Sequence, residues 1–150
     1  MSQSLNIGQA GEYLTLFDLC SQKYNCFLVN ESLCFDIGMT DTNNSLYRIQ
    51  VKTTSKKRNE HSYQFRLVKS VRKFVNGYAG ENKQLKHTDK EYRVTDFEIL
   101  ALVILPKKMV FYVPFHAIHG QKYLNLRGHE DLSLKDCLAS IKQAEGNYYG

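Results

Sequence analysis

Leu33-Cys34-Phe35-Asp36-Ile37, the polar run Asp41-Thr42-Asn43-Asn44-Ser45, and Leu46-Tyr47-Arg48-Ile49-Gln50-Val51-Lys52-Thr53-Thr54 form the stretch that decides the fold. The last segment alternates: Tyr47, Ile49, Val51 and Thr53 share one face of a strand, and Arg48, Gln50 and Lys52 share the other. Asp41 to Ser45 is a turn signal, because Asp, Asn and Ser side chains bond their own backbone in turns. Leu33 to Gly38 reads as an earlier strand, with Phe35 and Ile37 pointing one way and Cys34 and Asp36 the other. An aspartate is disfavoured inside a strand, and its charge is costly if buried without a partner. If the two strands pair antiparallel through the turn, Asp36 lies near Gln50 and Lys52. A carboxylate, an amide oxygen and an ammonium on adjacent strands suit metal-assisted phosphodiester hydrolysis. The oxygens can hold a hard Mg²⁺, and the lysine can oppose developing phosphate charge. The same spacing fits a cross-strand ion pair of Asp36 with Lys52, with Gln50 on a solvated face.

Outward from this hairpin, Ala10, Tyr13, Leu14, Phe17 and Cys20 recur at helical spacing and predict a helix over 9–21. Leu16 and Leu19 widen its apolar face, and Glu12 lies at the edge of it. Cys26 to Val29 is a short apolar run followed by a turn. Tyr63, Phe65 and Leu67 alternate with Gln64, Arg66 and Val68 as another strand. Ser70 to Tyr78 reads as a short helix or a loop, and Gly77 and Gly80 favour an irregular excursion there. Phe97 to Leu105 is the most hydrophobic segment and reads as a central strand, turned by Pro106-Lys107-Lys108 into a hairpin partner at Met109 to Val113. Ser133 with Asp136 resembles a capping box opening a helix whose stripe is Leu134, Cys137, Leu138 and Ile141. The expectation is one mixed α/β domain over 1–150, a central mixed sheet flanked by helices.

Composition narrows the function classes. The chain has 150 residues and 17.4 kDa, is 43% hydrophobic and 12% aromatic, and has only two prolines, which excludes collagen and low-complexity disorder. The run Ile99 to Leu105 is too short to span a bilayer, and no secretory signal is visible, so a cytoplasmic protein without a membrane partner is expected. Cys20, Cys26, Cys34 and Cys137 lack CxxC spacing and read as reduced core residues. Gly8 and Gly11 make no phosphate-loop fingerprint, and no organic cofactor is expected. His116, His119 and His129 read as surface or locally bonded residues. Charge is unevenly spread: from Arg48 to Arg93 thirteen Lys and Arg face four acids, a balance of +9, while the remainder carries −4. Such polarity in one domain points to a basic face for an anionic partner.

The opening Gly8-Gln9-Ala10-Gly11-Glu12-Tyr13-Leu14, then Asp36, Ile49-Gln50-Val51-Lys52-Thr53-Thr54, Asp96-Phe97 and Tyr112-Val113-Pro114 together resemble the PD-(D/E)XK restriction-fold nucleases. Within them the likeness is to the small homing endonucleases encoded in bacterial group I introns, over roughly residues 8–54 and 92–118. The resemblance implies a restriction-endonuclease-like core and a Mg²⁺-dependent, site-specific double-strand DNA endonuclease leaving 5′-phosphate and 3′-hydroxyl ends, with Mn²⁺ able to replace Mg²⁺. It implies Glu12, Asp36, Gln50 and Lys52 as the catalytic set, with Asp36, Gln50, the Val51 carbonyl and Glu12 toward the metal. Gln50 departs from the acid that the family pattern has at its position. An amide brings no net charge, and a degenerate site that binds DNA without cutting it is the alternative, as is a restriction or repair nuclease of the same fold.

A double-strand cut needs two active sites or one used twice, so a homo-dimer or homo-tetramer on double-stranded DNA is expected. The basic residues expected to meet DNA around the 55–91 excursion are Arg48, Lys56, Lys57, Arg58, Arg66, Lys69, Arg72 and Lys73. Gln64 and Arg66 are placed to read bases if their strand enters the major groove.

Overall fold

A computed structural model describes residues 3–30, 32–74 and 85–149. A five-stranded mixed sheet forms the centre, in the order β1 (Asn25–Leu28), β2 (Ile37–Thr40), β3 (Leu46–Thr54), β7 (Ile99–Ile104) and β8 (Met109–Pro114). Neighbours pair antiparallel except β3 and β7, which run parallel in the register Ile49↔Ile99 to Thr54↔Ile104. The long crossover between them carries β4 (Tyr63–Arg66), β5 (Val68–Phe74) and β6 (Leu85–Glu91). β4 pairs with β9 (Tyr123–Leu126), and β5 with β6 as a separate two-stranded arm. The helices are α1 (Gln3–Ser21), the short α2 (Phe115–Ile118) and α3 (Leu134–Tyr149). Among the described residues no helix is long and apolar enough to cross a membrane.

Strand periodicity builds two apolar layers. Tyr47, Ile49 and Val51 of β3 join Ile99, Ala101 and Val103 of β7 under Leu19 of α1 and Leu134, Cys137, Leu138 and Ile141 of α3. Leu100, Leu102 and Ile104 turn to the other face and meet Tyr63, Phe65 and Leu126 of the β4–β9 pair, with Phe97, Phe115 and Tyr92. Every residue of β7 is buried, as an unbroken apolar run predicts for a strand covered on both faces. Both long helices lie on one face, and the opposite face is covered by the β4–β9 pair and α2.

Local chemistry closes the elements. Lys23 is left-handed (φ 69°), its N–H bonds the Cys20 carbonyl at 3.0 Å, and the Tyr24 N–H reaches back to the Leu19 carbonyl at 3.1 Å. That is a Schellman stop for α1 with lysine in place of the usual glycine. Asp41 Oδ1 accepts the N–H groups of Asn43 and Ser45, both at 2.9 Å, and so makes the β2–β3 turn. Ser133 Oγ accepts the Asp136 N–H at 3.1 Å and caps α3 as expected.

Five sequence expectations are corrected. The apolar face of α1 is not the one that Tyr13 and Phe17 suggest: they are 52% and 71% exposed, and the helix packs through Gly11, Thr15 and Leu19. The first strand of the hairpin is β2, beginning at Ile37 rather than Leu33. Val68 is buried and opens β5 instead of facing away as the end of β4. Ser70 to Phe74 is strand rather than helix or loop; 75–84, including Gly77 and Gly80, lie outside the described residues. Of the cysteines only Cys137 is fully buried, and exposed Cys20 places its Sγ 3.3 Å from that of Cys26.

Candidate active site

Asp36 immediately precedes β2 and ties the hairpin together from its end. Its N–H donates to the Ile49 carbonyl at 2.9 Å, and its Oδ2 accepts the Val51 N–H at 2.8 Å. The carboxylate takes a backbone hydrogen bond of β3, which is why regular strand begins only at Ile37. The antiparallel register Ile37↔Ile49 then sets Asp36 beside the Gln50–Lys52 segment, as the hairpin reading expects.

Glu12 joins from α1. Its carboxyl group hydrogen-bonds that of Asp36. Burial raises the Asp36 carboxyl above its ordinary range, against the lowering effects of the Val51 N–H, Glu12 and the Lys52 charge. α1 can approach this closely because Gly11 faces Thr53: a Cβ there would stand 2.8 Å from Thr53 Cβ and 2.9 Å from its Cγ2. Thr53 Oγ1 is buried under that contact without a hydrogen-bond partner.

Lys52 is half-buried on the β3 face shared with Arg48 and Gln50. Desolvation lowers its ammonium below the ordinary range, opposed by Asp36 and reinforced by the nearby positive charge of Arg66. Its Nζ lies over the ring of Tyr92, 5.1 Å from the centroid. Gln50 is half-buried beside it, so this polar face is not a solvated one.

The basic residues divide. Arg48 is committed within the fold: its guanidinium grips the Glu98 carboxylate at 3.0–3.2 Å and donates to the Thr95 carbonyl at 2.7 Å. Lys56, Lys57 and Arg58 are exposed on the loop after β3. Lys57 lines a cleft of about 450 Å³ with Glu60, His61, Arg127 and His129, and its ammonium sits 6.0 Å from the Tyr63 ring centroid. Gln64 and Arg66 point away from the core of β4, whose Tyr63 and Phe65 are buried. Arg66 also lines a smaller cleft of about 170 Å³ with Val68, Glu91, Lys122 and Tyr123 at the base of the arm. Lys69 is exposed on β5, and the side chains of Arg72 and Lys73 lie outside the described residues. Sequence reasoning missed Tyr92, Arg127 and Lys122. None has a local signature, and each is brought in by pairing between distant strands.

Among the described residues no group of three or more His, Cys, Asp or Glu side chains is placed so that it could hold a metal ion. What the structure brings together is two carboxyl groups, Glu12 and Asp36, next to the β3 segment that carries Gln50 and Lys52. Oxygen donors of this kind are what a hard divalent cation that retains several waters prefers. They do not suit a tetrahedral zinc site, which takes Cys and His.

No family model matches the chain, and no curated protein matches it. Its fold is similar to the structure of a bacterial homing endonuclease, I-Ssp6803I, with a TM-score of 0.64 over 97% of both chains and 11% sequence identity. At that identity the likeness is one of fold.

Proposed function

We propose that the chain is a Mg²⁺-dependent, site-specific DNA endonuclease built on a restriction-endonuclease-like core, acting in intron homing. The observation that carries this reading is the convergence of Glu12, Asp36 and Lys52 on one end of the β2–β3 hairpin. The full-length likeness in fold to a bacterial homing endonuclease supports it.

Asp36 and Glu12, with the Gln50 amide oxygen and the Val51 carbonyl, would hold Mg²⁺ or Mn²⁺. When bound, the ion supplies Lewis-acid stabilisation of charge on a phosphate oxygen. Asp36 is fixed for this task by the Val51 N–H, so its second oxygen keeps one direction. Lys52 presents a poorly hydrated ammonium, which opposes charge on the pentavalent phosphate more strongly than a solvated one. Lys56, Lys57, Arg58 and Arg66, joined by Arg127, would follow the DNA backbone, and Gln64 would face the bases. Cutting both strands would take two copies, as a dimer or a dimer of dimers on a partly symmetric target.

The test is digestion of a genomic fragment library with Mg²⁺ and with EDTA, comparing wild type, Asp36→Ala and Lys52→Ala. Discrete products that need Mg²⁺ and vanish in both variants are expected. Salt-sensitive DNA binding without products under any divalent ion would refute the nuclease reading and leave a DNA-binding protein, with Gln50 the residue to blame.

A further inference from the structure

We propose that Tyr92 is a positioning residue for Lys52: its ring face fixes the ammonium within the site and joins it to the base of the β5–β6 arm. This role rests on the nuclease reading above.

Lys52 Nζ stands 5.1 Å from the Tyr92 centroid, inside the range at which a ring face attracts a cation. The ring is itself immobilised. It is 6% exposed and meets Phe97 edge-on (5.1 Å, 75°) and Phe115 edge-on (6.4 Å, 90°), while Phe97 and Phe115 are 4.4 Å apart. Phe97 precedes β7 and Phe115 follows β8, so the platform under Tyr92 belongs to the central sheet.

Lysine needs such a platform, because its four-carbon stem carries a compact charge through many rotamers. Asp36 attracts that charge, but a tight ion pair would neutralise the ammonium a phosphate needs. The positive charge of Arg66 repels it. A ring face attracts without cancelling charge, and it occupies a fixed position. Tyr92 is also the first residue after β6, and β6 pairs with basic β5 along its whole length, Val68↔Glu91 through Phe74↔Leu85. DNA bearing on the arm therefore bears on the strand that ends at the ring, and the ring's contact with the ammonium ties the arm to Lys52.

The experiment uses the full chain with Tyr92→Leu, which keeps an apolar group and removes the ring face, and Tyr92→Phe, which keeps the face. With protein labelled with ¹³C at lysine Cε and Lys52 assigned through Lys52→Arg, the wild type should show ring-current displacement of the Lys52 Cε protons. Tyr92→Phe should preserve it and Tyr92→Leu should abolish it, with no DNA needed. On the fragment that wild type cuts with Mg²⁺, Tyr92→Leu should lower the single-turnover rate at saturating DNA about tenfold or more, and Tyr92→Phe should recover most of it. The Kd for that fragment in Ca²⁺ should stay within twofold, which separates positioning from binding. Absence of ring-current displacement in wild type, or equal cleavage rates for Tyr92→Leu and wild type, would overturn the role. A tenfold loss in Tyr92→Phe as well would overturn it too, since the ring face would then not be what matters. A wild type that cuts no fragment refutes the nuclease reading and this role with it, while the proton displacement still reports the contact by itself.

Discussion

Replacing Gly11 with alanine tests how α1 is seated on β3, and Gly8 on the same helix supplies the control. At Gly8 an added Cβ meets nothing within 4 Å, so Gly8→Ala should show the helix preference alone, a gain of up to about 1 kcal/mol. At Gly11 the new methyl group meets Thr53 Cβ at 2.8 Å and Cγ2 at 2.9 Å, and collides with Oγ1. Cβ is anchored to the β3 backbone, so no rotamer of Thr53 removes the clash and the helix must move. Overpacking of this kind costs roughly 1–3 kcal/mol, and a contact on a fixed strand belongs at or above the upper end. Set against the same helix gain, Gly11→Ala should be destabilised by about 2 kcal/mol, a fall in Tm of roughly 4–8 °C for a chain of this size. Gly8→Ala should rise by roughly 2–4 °C. Because Glu12 is the next residue, the shift also draws its carboxyl from Asp36, and cleavage should fall even well below the melting temperature. Thermal unfolding followed by circular dichroism measures the first effect. Equal melting temperatures for the two alanine variants would refute the close seating of α1, and with it the account of how Glu12 reaches the site.

Three further outcomes follow from the site and its surroundings. Burial holds the Asp36 carboxyl above its ordinary range, so its ionisation opposes folding; Asp36→Asn should melt higher than wild type at pH 7 yet not cleave, and Mg²⁺ should raise the Tm of wild type only. A Mg²⁺ shift in the variant equal to that in wild type would place the ion elsewhere. Arg48→Ala should lower the Tm, because it removes the guanidinium that balances the charge of half-buried Glu98, while the slope of DNA affinity against salt stays put; Lys57→Ala should do the reverse, flattening that slope by about one unit with little change in Tm. Glu130 is pulled upward by burial, but the N–H groups of Arg127, Gly128 and His129 (2.7, 2.7 and 3.1 Å) hold its carboxylate below the ordinary range. Its stabilising effect is thus full above the unfolded value near 4.5 and is lost as pH falls through the lower folded value. Amide shifts of those three residues should titrate together there in wild type and stay flat in Glu130→Gln.

The hairpin that carries Asp36 and Lys52 was legible because its determinants are local: an alternating strand, an aspartate-led turn and a carboxylate next to both. The cap of α3 and its buried stripe were legible for the same reason. The buried face of α1 was not, since aromatic residues at helical spacing look like core and a glycine looks like a weakness. Close approach to β3 reverses both readings: Gly11 and Thr15 are small enough to be covered, and Tyr13 and Phe17 are left outside. The strand start slipped from Leu33 to Ile37 because a side chain, Asp36, captured a backbone donor that regular pairing would otherwise use. The arm was missed because Val68 to Phe74 finds its partner across 75–84, and its own pattern, Val-Lys-Ser-Val-Arg-Lys-Phe, does not alternate. Tyr92 sits in a charged stretch where no neighbour in sequence announces an aromatic platform.

The parallel pairing of β3 with β7 has a consequence for the order in which the protein can assemble. Every candidate acid and base lies within the first 54 residues, on α1 and the hairpin, whereas Ile49 and its partner Ile99 are fifty positions apart. A nascent chain leaving the ribosome would thus expose an apolar β3 edge until the whole crossover has been made, and sequence-distant pairing of this kind is slow to close. Phe97, Glu98 and Tyr92, which brace the site, arrive only with that closure. The chemistry is encoded early and becomes competent late.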